Sequence, residues 1–206
     1  MMNKALFLDR DGIINVDFGY VHKKEHIVFV ENIFPLVRAA NQKGYLVIII
    51  TNQAGIGRGY YTEEDFFALM HWMQEQFQKH GTVVHDVFYC PFHPVHGIGR
   101  YRRESFLRKP HPGMIMQAAE KYEIDLAASV LVGDSLTDIQ AGMAGGVGKL
   151  FLLAQDGGEW TLTEEFEIVK YKRLVKIGWV NDFSQIMADY ITESTFEISY
   201  AANGPQ

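Results

Sequence analysis

Short, wholly apolar runs alternate along the chain with longer stretches whose apolar positions recur at helical spacing. Ala5-Leu6-Phe7-Leu8 and Leu46–Ile50 read as buried strands, and Val83–Tyr89, Ser129–Val132 and Leu150–Leu153 read as further strands. Between them the pattern predicts helices over Ile33–Lys43, Glu63–His80, Met114–Tyr122 and Leu136–Ala144. Thr62 ahead of Glu63-Glu64-Asp65 supplies an N-cap and a run of acids in a first turn, where the helix dipole favours them. Pro112 before Gly113-Met114 is a start signal, and Gly44 after Lys43 is a stop signal. Strands apolar on both faces, separated by helices, imply the α/β class. The expected architecture is a doubly wound, mostly parallel, Rossmann-like sheet with helices on both faces.

Two segments depart from this rhythm. Residues 91–110 form a long connector with His93, His96, Gly97, Gly99 and several arginines, and a loop of that length in a compact domain is more often functional than idle. Beyond Gln155 the pattern suggests a sixth strand at Arg173–Ile177, a last helix at Asp182–Tyr190 and a frayed end at Ala201–Gln206. With 206 residues the chain is expected to form one domain over 1–192, with 91–110 as a loop insertion and 193–206 as a tail.

Composition narrows the function classes. Hydrophobic residues at 48% and charged residues at 21% are a globular balance. A net charge of −6 gives no global positive field for nucleic acid. No apolar run has the length of a membrane span, and Met1-Met2-Asn3-Lys4 leads into an acidic motif without the apolar core of a signal peptide. A lone cysteine, Cys90, excludes an intramolecular disulfide and points to a reducing cytoplasm.

In an open α/β sheet, ligands sit beyond the carboxyl ends of the strands, so the residues that follow each apolar run are informative. The first run ends in Asp9-Arg10-Asp11-Gly12, the second in Thr51-Asn52-Gln53, and the fourth in Gly133-Asp134-Ser135 with Asp138 a turn later. Arg108-Lys109-Pro110 precedes the helix after the third. These are the groups that phosphoryl transfer through an aspartate needs. One carboxylate attacks phosphorus and a second, two residues on, moves the proton. The clustered negative charge calls for a hard cation with oxygen ligands, Mg²⁺, while Lys109, Thr51 and main-chain N–H groups face the phosphoryl oxygens. Each motif alone is common as a turn, a cap or a surface lysine; the conjunction in one order carries the inference.

These residues resemble the motifs of the haloacid-dehalogenase (HAD) superfamily of phosphatases: Leu8-Asp9-Arg10-Asp11-Gly12, Thr51-Asn52, Lys109-Pro110 and Gly133-Asp134 through Asp138, over about residues 5–155. Within it, Asp-Arg-Asp-Gly-Ile-Ile-Asn, Gly19-Tyr20-Val21, Thr-Asn-Gln-Ala-Gly-Ile-Gly-Arg-Gly and Arg-Lys-Pro-His-Pro-Gly-Met look like the D-glycero-D-manno-heptose-1,7-bisphosphate 7-phosphatases. Histidinol-phosphate phosphatases have similar motifs. The resemblance implies a HAD-like fold without a large separate cap domain. It implies Asp9 as nucleophile, Asp11 as acid/base, and Mg²⁺ held by Asp9, the Asp11 carbonyl and Asp134, with Asp138 in support. Thr51 and Lys109 become phosphate ligands. Asn52, Arg58, Arg108 and Ser135 become candidates for the rest of the substrate, and Asp17 and Tyr20 fall where this subfamily touches the sugar.

Many members of that subfamily hold a structural zinc in the long loop. Here Phe92, Ser105 and Leu107 occupy ligand positions, and Cys90, His93 and His96 are too few for a tetrahedral site, so no zinc is expected. Arg100, Arg102, Arg103, Arg108 and Lys109 instead make a local positive patch suited to a substrate with more than one phosphate. Gly55-Ile-Gly57-Arg-Gly59 lacks dinucleotide spacing, and Trp72, Met70, Met73 and Phe77 read as core. The expectation is a cytoplasmic, monomeric, Mg²⁺-dependent phosphatase of a small phosphorylated sugar or metabolite. Its rivals are histidinol-phosphate hydrolysis, removal of 3′-phosphate from nucleic acid, and a regulatory module that is phosphorylated on Asp9 without turnover.

Overall fold

The computed structural model describes residues 2–153 and the backbone of 176–180. The helix expected at Asp182–Tyr190 and the tail at 193–206 lie outside the described residues. The strands are β1 (Lys4–Leu8), β2 (Tyr45–Asn52), β3 (Asp86–Cys90), β4 (Val130–Gly133), β5 (Lys149–Leu153) and β6 (Lys176–Val180). The helices are α1 (Ile33–Gln42), a single turn α2 (Ala54–Gly57), α3 (Glu63–Lys79), α4 (Gly113–Tyr122) and α5 (Leu136–Gly145).

The six strands form a single sheet in the order β3-β2-β1-β4-β5-β6, and every pairing is parallel. Two cores explain why the strand sequences are apolar throughout. Leu6 and Leu8 of β1, with Val47 and Ile49 of β2, face α1 and α3. Ala5 and Phe7, with Ile48 and Ile50, face α4 and α5. Successive side chains of a strand point to opposite faces, so a sheet covered on both sides must be apolar at every position. Each fully buried Leu, Ile or Phe contributes roughly 1.5–3 kcal/mol.

Chain order reverses between β1 and β4, and such a switch point opens a crevice at the carboxyl ends of the strands. The Asp9 N–H continues the β1–β4 ladder by donating to Val132 O at 3.1 Å, which sets Asp9 and Asp134 side by side beyond the sheet edge. Among the described residues, the connectors around the crevice carry only short turns of helix, at Lys24–His26, Ala54–Gly57 and Gly99–Tyr101, and no domain-sized cap.

Two boundaries differ from the sequence reading. The third strand begins at Asp86 rather than Val83, because Asn41 engages the Val83 backbone with both ends of its amide, through the Val83 N–H at 2.7 Å and carbonyl at 3.1 Å. The sixth strand is described over Lys176–Val180, in register with β5, and so runs past the expected end at Ile177; residues 173–175 of the expected span lie outside the described residues.

Candidate active site

The cavity beyond β1, β2 and β4 measures about 400 Å³ and is lined by Asp9, Asp11, Asp17, Tyr20, Thr51, Asn52, Arg108, Lys109, Asp134 and Ser135, among others. Ten of the residues proposed from sequence therefore meet in one place. Arg58 is not among the lining residues; its guanidinium lies 5.6 Å from the centre of the Tyr20 ring, behind a residue that does line the cavity. Asp138 sits beneath it, 1% exposed.

Lys109 organises the floor. Its ammonium is buried between Asp9 Oδ1, at 2.8 Å, and Asp138 Oδ1, and it also donates to Ile50 O at 3.1 Å. Burial alone would pull this lysine down, but Asp138 and Asp9 outweigh it and hold the ammonium above its ordinary pKa. Asp9 shows the opposite balance. Burial raises its carboxyl well above the usual range, Lys109 opposes that, and Asp138 and Asp134 add to it. Burial and then Asp138 push Asp134 up to about 7, against the pull of Lys109. The acids stand this close because Gly133 has no side chain: a Cβ there would meet Asp138 Cβ at 2.2 Å.

Asp138 closes the first turn of α5, accepting from the Ser135 N–H at 3.1 Å and the Ser135 hydroxyl at 2.7 Å. Asn52 accepts from the Lys109 N–H and donates to the Lys109 carbonyl, both at 3.1 Å, so its amide clasps the lysine's backbone. Arg108 is steadied at Phe92 O at 3.4 Å.

One oxygen each from Asp9, Asp134 and Asp138 lies within 4.8 Å of the others. An all-oxygen donor set, three acids against the one ammonium of Lys109, fits a divalent hard cation such as Mg²⁺. The Asp11 carboxylate does not belong to that group and is turned to Arg10, Asn15 and Gln53.

Sequence reasoning missed the residues around that carboxylate. Asp11 Oδ1 accepts from Arg10 Nε at 3.1 Å, Arg10 Nη2 at 2.7 Å and Asn15 Nδ2 at 3.1 Å. Oδ2 accepts from Arg10 Nη2 at 2.7 Å and Gln53 Nε2 at 3.2 Å. Gln53 Nε2 also donates to Thr51 Oγ1 at 2.8 Å, and the Tyr61 hydroxyl donates to Gln53 Oε1 at 2.6 Å. Arg10 and Gln53 stood inside the motifs, but no spacing rule says that a side chain between two acids turns back onto the second.

The loop over residues 91–110 is tied down by side-chain contacts. Tyr101 and Tyr89 donate to the two oxygens of Glu63 at 2.6 and 3.1 Å, and the Arg103 guanidinium lies 3.9 Å from the Phe92 ring centre. Cys90 is buried, and His93 Nδ1 accepts from the Val95 and His96 N–H groups. Among the described residues, Cys90, His93 and His96 do not gather into a ligand group of the kind the acids form.

A family model described as HAD-hydrolase-like matches residues 106–158. Fold and site define a phosphohydrolase of the HAD superfamily. A D-glycero-alpha-D-manno-heptose-1,7-bisphosphate 7-phosphatase from Burkholderia mallei is 51% identical over 173 residues, 84% of this chain and 92% of that protein. The chain belongs to the heptose-1,7-bisphosphate 7-phosphatase family of that superfamily. The D-glycero-beta-D-manno-heptose-1,7-bisphosphate 7-phosphatase of Vibrio cholerae is 46% identical over 153 residues, 74% of this chain and 82% of that one. The crystal structure of D,D-heptose 1,7-bisphosphate phosphatase from B. bronchiseptica, complexed with magnesium and phosphate, superposes with a TM-score of 0.76. It is 28% identical, and the match covers 93% of this chain and 99% of that one.

Proposed function

We propose that this protein is a Mg²⁺-dependent phosphomonoesterase that removes the 7-phosphate of a D-glycero-D-manno-heptose 1,7-bisphosphate. The observation that carries the reading is the half-buried Asp9, gripped by Lys109 and flanked by Asp134 and Asp138 at the mouth of the sheet's crevice. An Asp9 oxygen attacks phosphorus in line with the ester oxygen; the new O–P bond forms as the sugar's P–O bond breaks. Asp11 gives its proton to the departing sugar oxygen. It then takes one from a water whose oxygen attacks the phosphoryl group, releasing inorganic phosphate and restoring Asp9. Lys109 and Thr51 hold the transferring oxygens in place. When bound by Asp9, the Asp11 carbonyl and Asp134, Mg²⁺ supplies the positive charge that lets an anionic ester enter a nest of carboxylates.

Arg108 offers a planar guanidinium to the phosphate that is not cleaved, and the basic loop draws a doubly charged substrate to a protein of net charge −6. Asp17 and Tyr20, which also line the cavity, are the side chains offered to the sugar. No helix among the described residues is long and apolar enough to cross a membrane, and the lone buried Cys90 suits a reducing cytoplasm. Steady-state rates on heptose 1,7-bisphosphate (both anomers), histidinol phosphate and a 3′-phosphorylated oligonucleotide, with and without Mg²⁺, test the assignment. The heptose ester should have the highest kcat/KM, and only with the metal; a preference for either other ester overturns the substrate.

A further inference from the structure

Arg10 has the largest fully buried side chain among the described residues, 0% exposed, and it lies one residue from the nucleophile. Sealing a guanidinium away from water is costly, and a buried ion pair is often no more stabilising than apolar residues of the same volume. A need for packing alone would be met by Met or Leu, so the charge calls for another reason.

Its contacts supply one. Nε and Nη2 fork onto the Asp11 carboxylate, and Nη2 also donates to Val21 O at 2.7 Å. The fork fixes the carboxylate's plane, while the Val21 bond ties the arginine to the loop that carries Asp17 and Tyr20. Asn15 adds a donor to Oδ1 and Gln53 one to Oδ2. Asp11 keeps 22% of its side chain exposed, and it lines the cavity. Arg10 itself does not line it, so it touches neither substrate nor phosphoryl group.

We propose that Arg10 is a positioning residue for the proton-transfer steps, acting on the reaction only through the orientation it gives Asp11. The inference rests on the reading of Asp11 as the acid/base. A planar, two-pronged donor holds a carboxylate in one plane, which a lysine's point charge does not. Placing the proton on the line to the leaving oxygen is where such a group gains rate.

The leaving group separates this from a merely structural role. A sugar alkoxide needs a proton to depart as Asp9 bonds to phosphorus; p-nitrophenolate departs without one. The full-length protein with Mg²⁺ is assayed on heptose 1,7-bisphosphate and on p-nitrophenyl phosphate, reading kcat/KM. Arg10→Lys should lose about 10–100-fold on the sugar ester, within the range of one general acid, and less than about 3-fold on the aryl ester. Arg10→Gln, which keeps a donor but no charge, should show the same split, with far-UV circular dichroism confirming that each variant is folded. Arg10→Lys combined with Asp11→Asn should be no slower than Asp11→Asn alone. Equal losses on both esters, additive losses in the double variant, or faster sugar hydrolysis by Arg10→Lys would overturn the proposal. If Asp11→Asn itself does not distinguish the esters, the acid/base reading fails and this proposal fails with it. If Asp11→Asn distinguishes them and the Arg10 variants do not, only this proposal fails.

Discussion

Lys109 stands between Asp9 and Asp138 with its ammonium sealed from solvent. Removing it leaves those carboxylates buried without their counter-charge, a change that typically costs about 3–5 kcal/mol. Lys109→Met should therefore lower the melting temperature as well as kcat, the latter by about 10²–10³-fold, as for the loss of one charge-stabilising donor. Thermal melts and steady-state rates on the same preparation check both parts; an unchanged melt with full activity would remove Lys109 from the account. Asp9, Asp11, Thr51 and Asp134 were legible in the sequence because each is a polar residue at or just past the end of an apolar run, and the sheet brings run ends together; Lys109 was legible only from its motif, ahead of Pro110 and the start of α4. The roles of Arg10, Gln53 and Tyr61 were not, because Gln53 bonds Asp11 across 42 positions and Tyr61 reaches Gln53 by a turn that the pattern does not encode.

At the scale of elements, β2 and the approach to β3 are joined by His85, whose Nδ1 accepts from the Val47 N–H at 2.9 Å. Burial holds this imidazole below its usual 6.5. The unfolded chain takes up the proton near 6.5 and the folded chain only at lower pH. The stability His85 contributes is therefore present above that value and lost as pH falls below it. Melting temperatures recorded from pH 8 to pH 5 should decline more steeply in the parent protein than in His85→Gln; parallel curves would contradict this. The helices over α1, α3, α4 and α5 were readable from apolar periodicity and from caps such as Thr62, which accepts from the Asp65 N–H at 3.1 Å. The start of β3 and the reach of β6 past Ile177 were not, since an apolar run does not say which of its residues pair to a neighbour. The single turn α2 is too short to leave a periodicity.

For the whole molecule, the sheet's work is to bring charges of one sign together and leave room for a cation. Mg²⁺ should stabilise the folded chain by about 2.7 kcal/mol at a hundredfold excess over its Kd. Asp134→Asn should abolish most of that gain, and chelation by EDTA should stop turnover; an equal Mg²⁺ response in parent and variant would place the ion elsewhere. The α/β architecture was legible as a whole, because strands apolar on both faces admit few other arrangements. The route of residues 91–110 was not, since side-chain contacts such as Tyr101 with Glu63 hold it. The central claim is that Asp9 takes up the phosphoryl group and gives it to water. Rapid-quench mixing with heptose 1,7-bisphosphate carrying ³²P at position 7, followed by peptide mapping, tests it directly. The account predicts label on Asp9 that appears and decays at rates compatible with kcat and is absent in Asp9→Asn; turnover without labelled protein, or label that persists on Asp9 without phosphate release, would contradict it.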